Sequence, residues 1–223
     1  SKYKCFFLSP KNRLTLNSDG SIFWAKEKTL ILGDLHLEKS TFFGPYGNYL
    51  PPYDSLETLL KLTNSINNNT VETIILLGDI FHDVNGYSRL KKKERKIFDF
   101  ICNKNKIVWI LGNHDNGFAP DNVHPCKTYK MNNITFSHVL TKEINFEISG
   151  HYHPKVSFFY RRQKITRPCF LYSKNKIILP SYGAYTGGLN LESKLYKKIL
   201  DKNYKVYALG NKSVILVEDY VFS

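Results

Sequence analysis

Thr29-Leu30-Ile31-Leu32-Gly33-Asp34-Leu35-His36 decides the fold: an apolar run stops at a glycine and a ligand-type residue follows. A run of this length halted by Gly reads as a buried parallel strand, and glycine lets the chain turn where a Cβ would obstruct. The pattern returns over residues 73–79, ending in Gly78-Asp79, and over 107–115, ending in Gly112-Asn113-His114-Asp115. Each polar residue therefore falls just past the carboxyl end of a strand, where open α/β sheets gather their ligands. A single glycine after a strand is a turn. Three in succession, each followed by a metal-type ligand, mark a site.

Parallel strands need helical crossovers between them. Pro51-Pro52-Tyr53-Asp54 leads into a stripe of Leu56, Leu59, Leu60, Thr63 and Ile66, with Asp54 and Glu57 spaced as a capping box. A second, more basic helix is expected over 88–101, with Leu90, Ile97, Phe98 and Ile101 inward. Ahead of the first parallel strand, segments 5–8, 14–16 and 22–25, with Asp19-Gly20 as a hairpin turn, read as an antiparallel edge. Beyond residue 156, short β-rich segments at 156–160, 169–172, 176–179, 206–209 and 213–217 would complete a second sheet. A helix over 191–200 interrupts them, with Lys194, Lys197 and Lys198 outward. With 223 residues and no Pro/Gly/Ser-rich linker, the chain reads as one domain over 1–223: metal motifs at 33–153, then a basic, β-rich part at 154–223.

Two more stretches complete the ligand inventory. Ile134-Thr135-Phe136 reads as a strand delivering His138, which is preferred to the loop residue His124, and Gly150-His151-Tyr152-His153 supplies a pair of imidazoles. A ligand bridging two cations must offer two lone pairs and a negative charge, so Asp79 in the middle stretch is the candidate bridge. Asp34 and His36, at i and i+2, share a face if the segment is extended and can hold one ion. Asn113 offers a neutral carbonyl oxygen to the other, and His151 and His153 give one imidazole to each. Two divalent ions about 3.5 to 4 Å apart clamp a phosphate and acidify a water between them toward hydroxide. The departing alkoxide needs a proton or a positive neighbour, for which His114 is the candidate imidazole. Asp115 could orient His114 or cap the turn at Asn116-Gly117.

This order of motifs resembles the calcineurin-like metallophosphoesterase superfamily, with its D-x-H, G-D, G-N-H-[DE], H and G-H-x-H signatures. The resemblance implies a four-layer α/β/β/α sandwich. It also implies Asp34, His36, Asp79 and His153 at one metal, Asp79, Asn113, His138 and His151 at the other, and His114 as the catalytic imidazole. Ser137 stands before His138 where the family often has Gly, a small departure because that side chain need not touch the metal. A narrower likeness covers nearly the whole chain. Residues 33–39, 42–47, Leu50-Pro51-Pro52 and Asp54, then His153-Pro154, Arg167-Pro168-Cys169-Phe170, Ile178-Leu179-Pro180 and the block 183–188, resemble the ligase-associated DNA damage response phosphoesterase or endonuclease family called PdeM. That likeness implies a nucleic-acid or nucleotide substrate and, by family association, a DNA ligase and a helicase as partners.

The formal net charge is +13. Thirteen Lys or Arg against two acids lie between positions 155 and 212, a local excess of +11, and the remainder carries nineteen against seventeen. This basic stretch interleaves with Phe158, Phe159, Tyr160, Phe170 and Tyr172, the pattern of a phosphate-binding surface with stacking groups. Arg161, Arg162 and Arg167 are the expected phosphate grips, with Lys39 and His82 as further substrate contacts. The competing reading is compositional: Lys outnumbers Arg twenty-six to six, as an AT-rich genome would give. No apolar stretch approaches a membrane span, so no membrane association is expected and the expected location is the cytoplasm. Cys5, Cys102, Cys126 and Cys169 lack C-x-x-C spacing and read as reduced structural thiols.

The leading function is therefore a dimetal phosphodiesterase, with Mn²⁺ the preferred ion and Fe, Zn or Co also admitted by a mixed His and carboxylate set. Two alternatives differ in class. A nucleotide-lipid pyrophosphate hydrolase would need an amphipathic, aromatic-tipped lid, which the sequence lacks. A non-catalytic binding scaffold should show gaps in the ligand set, and all seven ligand positions and His114 are filled.

Overall fold

The computed structural model describes residues 4–9, 12–43, 54–115, 118–141, 145–184 and 186–217. Pro51-Pro52-Tyr53, the Asn116-Gly117 turn, Tyr185 and most of the 42–47 stretch lie outside the described residues.

The first sheet has six strands in chain order: β1 (Lys4–Ser9), β2 (Asn12–Leu16), β3 (Ile22–Trp24), β4 (Thr29–Leu32), β5 (Thr73–Leu77) and β6 (Lys106–Ile110). The first four pair antiparallel, and β4, β5 and β6 are parallel. The expected strand at 22–25 ends one residue early, where Ala25–Glu27 forms a 3₁₀ turn. The crossovers carry α1 (Lys39–Phe43), α2 (Asp54–Asn67), α3 (Gly86–Arg89) and α4 (Lys92–Lys104).

The expected single helix over 88–101 is thus two helices, broken at Leu90-Lys91. Leu90 and Lys91 adopt ψ of 128° and 157°, outside the helical range, and the Glu94 carboxylate accepts from the Lys91 N–H at 2.8 Å to restart the chain as a capped helix. The two Asp54 oxygens accept from the backbone N–H and hydroxyl of Ser40, tying α1 to α2.

The second sheet has nine strands: β7 (Thr128–Met131), β8 (Ile134–Ser137), β9 (Phe146–Ser149), β10 (Pro154–Tyr160), β11 (Gln163–Ser173), β12 (Lys176–Ile178), β13 (Leu189–Asn190), β14 (Lys205–Leu209) and β15 (Val214–Val217). Their order is β13-β10-β11-β12-β9-β8-β7, with β14 and β15 attached beside β11. Strands β8, β9 and β12 run parallel. The last helix, α5 (Lys194–Ile199), leaves Lys194, Lys197 and Lys198 exposed, as the sequence pattern requires.

Strand alternation divides the interior into three layers of side chains. Leu30, Leu32, Ile74, Leu76 and Trp109 point at α2 and α4, where Leu59, Leu62, Phe98 and Ile101 meet them. The residues between them, Ile31, Ile75, Leu77, Val108 and Ile110, point the other way and join Phe136, Ile148, Phe170 and Ile177 between the sheets. At roughly 1.5–3 kcal/mol for each large side chain removed from water, this middle layer locks the two sheets face to face. The outer face of the second sheet packs Val156, Cys169, Leu171 and Val206 against Leu191 and Tyr196. The molecule is the expected α/β/β/α sandwich, although among the described residues the second helical layer is a single six-residue helix. No helix among the described residues is long and apolar enough to cross a membrane.

Candidate metal centre

Parallel pairing of β4 with β5 and β5 with β6 brings the loops after these strands side by side. Strands β8 and β9 deliver Ser137-His138 and Gly150-His151 from the second sheet to the same end. The backbone at this junction is unusual. Asp34, His36, Asp79, His151 and His153 have φ of 56°, 45°, 51°, 71° and 44°, all left-handed. For a residue with a Cβ each such conformation costs roughly 1–2 kcal/mol, and such strain gathers at functional sites. The expectation that Asp34 and His36 lie in an extended segment is therefore corrected. Left-handed residues alternate along the chain here, and the N–H groups of Asp34, His36 and Leu37 are tied to the carbonyls of Gly78, Asp79 and Ile80.

Seven side chains were expected to bind metal, and six of them form two adjoining groups. Ligand atoms of Asp34, His36 and His153 lie within 4.8 Å of one another, as do those of Asp79, His138 and His151. His153 Nε2 is 3.1 Å from Asp34 Oδ1 and 3.3 Å from His36 Nε2. In the other group His138 Nε2 is 3.3 Å from Asp79 Oδ2 and 3.1 Å from His151 Nδ1. The same Asp79 oxygen is 4.0 Å from His36 Nε2, so it faces both groups. Its companion Oδ1 accepts from the His114 backbone N–H at 3.0 Å, which fixes the carboxylate's rotation. Asn113, the seventh, sits at the exposed edge with its amide nitrogen 3.5 Å from His151 Nδ1. Rotating the amide about its axis would turn Oδ1 toward the same point.

The donor set fits cations on three counts. Asp34 Oδ1 is buried with no hydrogen-bond partner among the described residues, while Oδ2 accepts from the His151 N–H at 2.8 Å. Pairs of ring nitrogens point at each other at hydrogen-bond separations, an arrangement that a shared ion explains. His138 Nδ1 lies 2.7 Å from the Leu77 carbonyl, so Nδ1 carries the proton and Nε2 is left as a donor atom. Electrostatics agree. Burial opposes charge on both Asp79 and His138, yet their mutual hydrogen bond holds Asp79 well below the usual carboxylate range and lifts His138 to about 9, with Asp34 contributing. Burial lowers His36 to about 4 and also lowers His151.

Two glycines are required by contact. A Cβ at Gly112 would lie 2.2 Å from both the backbone nitrogen and Oδ1 of Asp79. One at Gly78, whose φ is +83°, would lie 2.6 Å from His138 Nδ1 and 2.8 Å from Gly112. The strand-glycine pattern marks where metal-bearing loops touch backbone to backbone.

The remaining expected residues divide. His114 is exposed and stands outside both groups, its ring centre 5.7 Å from that of His36. His82 stacks on it at 5.5 Å and 15°, so the structure brings His82 into the site. Lys39, at the start of α1, has its pKa lowered by burial and then by the charge of Lys155. Asp115 is buried, and its described hydrogen bonds are to backbone rather than to the His114 ring. Its two oxygens accept from the backbone N–H groups of Ile80 and Gly112 at 2.8 and 2.9 Å, bracing one metal loop against another, and burial pushes its carboxyl up to about 6. His124 is exposed and outside both groups. Arg161 and Arg162 occupy the tip of the β10–β11 hairpin, seven strand residues beyond His153, about 23 Å of extended chain. At that distance they could meet only phosphates of a strand that runs on beyond the metal groups. Arg167 is nearer, in the wall of a cleft of about 440 Å³ that also includes His153, Lys155 and Lys61. Of the five aromatics expected to stack, Phe170 and Tyr172 turn into the layer between the sheets and Phe158 packs on the outer core. The Tyr160 side chain lies outside the described residues, and Phe159 is 76% exposed.

A support that sequence reasoning missed is the stretch Ser181-Tyr182-Gly183. The Ser181 hydroxyl and the Gly183 N–H both donate to the Asp34 carbonyl, at 2.7 and 3.0 Å, and the Tyr182 N–H donates to Gly33. The only signal for it was the 183–188 block, which carried no chemistry of its own.

A two-sheet sandwich that delivers paired carboxylate and imidazole groups from its strand ends is the framework of a metal-dependent phosphoesterase. The chain belongs to the calcineurin-like phosphoesterase family, whose sequence profile matches residues 27–211. Among solved structures it is similar to the Pseudomonas putida nuclease MPE, with a TM-score of 0.75 and 22% identity over 96% of this chain and 100% of that one. Yfce, a phosphoesterase from E. coli, aligns at a TM-score of 0.42 and 12% identity over 85% of this chain and 97% of that one. No curated protein matches the sequence. The likeness to MPE is one of fold.

Proposed function

We propose that the protein is a two-metal phosphodiesterase acting on nucleic acid or nucleotides, in the DNA-repair setting implied by its likeness to the PdeM family. The observation that carries this reading is the pair of adjoining ligand groups facing one Asp79 oxygen, with the unbound, exposed His114 ring beside them. When bound, the two ions supply Lewis-acid charge against the phosphate and an acidified water for in-line attack. Asp34, His36 and His153 would hold one ion, His138, His151 and Asn113 the other, and Asp79 both. His114 would hand its ring proton to the departing alkoxide, and His82, stacked behind it, would keep the ring plane fixed. Lys39 and Lys155 add positive charge on the substrate side. The nuclease named among the structural relatives agrees with a diester substrate.

Manganese is the proposed ion, with Fe, Zn and Co the alternatives. The DNA ligase and helicase association and the cytoplasmic location rest on the sequence alone, and co-purification from native cells tests the former. The deciding experiment combines a metal count with a substrate panel under added Mn²⁺: a bis-aryl phosphate, an aryl monophosphate, cyclic nucleotides, and single- and double-stranded DNA and RNA. Two ions per chain with diester cleavage support the proposal. A single ion, or turnover of monoesters alone, removes it.

A further inference from the structure

The hairpin of β10 and β11 is more than a sheet margin. Strand β13 pairs with β10 only at Pro154 and Lys155, and β12 and β14 pair with β11 only from Cys169 onward. Between Ser157 and Thr166 the two strands have only each other as described ladder partners, so this part extends past the rest of the sheet as an arm with one face on the outer core and the other open. Its root is the metal centre, because Pro154 follows the ligand-type residue His153 directly.

Register and alternation sort the arm's side chains. Val156 and Phe158 lie on the face that packs on the outer core. The opposite face carries Lys155, Ser157 and Phe159, and across from them Pro168, Thr166 and Lys164. The Ser157 and Thr166 hydroxyls meet at 2.8 Å, which confirms that these residues share a face. From Lys155 to Phe159 is four residues, about 13 Å along the strand. This face begins with an ammonium in the cleft beside His153 and ends with an aromatic ring 76% exposed, paired with exposed Lys164. A ring that open gains nothing from the core, and a single large apolar side chain between lysines is a poor protein-docking patch.

We propose that this face binds the strand flanking the scissile phosphate. Phe159 stacks an unpaired base, and Lys155 and Lys164 meet the phosphates on either side of it. A ring offered edge-free to solvent accepts the face of any base but only one released from a duplex, so the surface selects unpaired strand without reading sequence. The proposal rests on the phosphodiesterase reading for its account of what the strand is brought to.

The test uses the Mn²⁺-loaded protein and a short single-stranded oligonucleotide containing 2-aminopurine, mixed rapidly so that quenching is read before cleavage. Phe159→Ala should weaken binding about 5- to 100-fold, the range of one lost base stack, while Phe159→Trp keeps it. Lys164→Glu should weaken it too and flatten its salt dependence. Hydrolysis of a bis-aryl phosphate, too small to reach Phe159, should stay unchanged in all three. Unaltered oligonucleotide binding in Phe159→Ala and Lys164→Glu overturns the proposal. So does equal loss for single strand and duplex, or a parallel fall in bis-aryl phosphate turnover, which would make the arm a support of the metal centre. If the wild-type protein quenches the probe through Phe159 but cleaves no diester, the surface stands and the phosphodiesterase reading falls.

Discussion

Gly112→Ala tests whether the metal loops are held by backbone contact. Gly112 is not among the positive-φ glycines, so alanine suffers no conformational penalty there and the effect is steric. The new Cβ would stand 2.2 Å from Asp79 N and Oδ1, where ordinary contact begins at 3.4 Å, so Asp79 or Gly112 must give way by about 1.2 Å. Neither is free to move. Asp79 Oδ1 is held by the His114 N–H and the Gly112 N–H by Asp115. Overpacking of this kind costs about 1–3 kcal/mol of stability. A reacting geometry displaced by about 1 Å loses on the order of 10²-fold in rate. The assay is kcat/KM on a bis-aryl phosphate beside a calorimetric count of bound Mn²⁺, with Gly187→Ala as control because a Cβ there meets nothing within 4 Å. The expected result is at least a hundredfold lower kcat/KM with weakened binding of one or both ions, against an unchanged control. A Gly112→Ala protein that keeps both ions and its rate within about threefold would refute the argument that contact at this glycine sets the position of Asp79.

Three further outcomes follow from the same geometry. His114→Ala should keep both ions by metal analysis and lose about 10²- to 10⁴-fold in diester turnover, the usual worth of a proton donor. Asp115→Asn replaces one acceptor with an NH₂ facing the N–H of either Ile80 or Gly112, so denaturant unfolding should show a loss of about 1–3 kcal/mol. Lys61 supplies a pH dependence that does not come from a metal-ligand side chain. Burial, against the charges of Asp19 and Glu57, lowers it from 10.5 to about 8. Its charged form is penalised in the fold, so the penalty is full below pH 8 and fades as pH rises toward 10.5. At about 1.4 kcal/mol per pH unit that is at most about 3.5 kcal/mol. The stability of wild type minus that of Lys61→Met should therefore climb between pH 8 and 10.5, and a flat difference would mean that Lys61 is not held in low dielectric.

The parts of the site that were legible in sequence are those that follow from one element at a time. An apolar run and its terminal glycine sit together in the chain, so strands β4, β5 and β6, and the residues just past their ends, could be read directly. What could not be read depends on pairings across the chain. Ser181 reaches the Asp34 carbonyl from 147 residues away, and nothing in either segment signals the other. Asp115 looked like a partner for its neighbour His114 because local reasoning sees neighbours, whereas burial turned it inward to two backbone donors. The helix break at Leu90-Lys91 was hidden for a different reason: a lysine supplies no recognised cap, and only the Glu94 carboxylate returning to its N–H does.

The left-handed ligand-type residues show how local reasoning can group two side chains while misjudging the backbone that carries them. Two side chains at i and i+2 share a face in an extended strand, and also in a segment whose alternate residues are left-handed. The extended form would let the segment continue as a ladder strand, with its donors and acceptors spread along one edge. The alternating form instead turns the N–H groups of Asp34, His36 and Leu37 into the neighbouring Gly78–Ile80 loop, so that ligands on separate strands are fixed relative to one another by backbone bonds. Five strained residues at roughly 1–2 kcal/mol each are a large burden for a domain whose whole stability is about 5–15 kcal/mol. The middle layer between the sheets must carry that burden, because the attraction between polar groups at the strand ends, as between Asp79 and His138, is opposed by their own burial. The metal centre is thus held in place by the apolar packing of Ile31, Ile75, Leu77 and Phe136 behind it, and ion binding returns stability to the fold that strains to form the site.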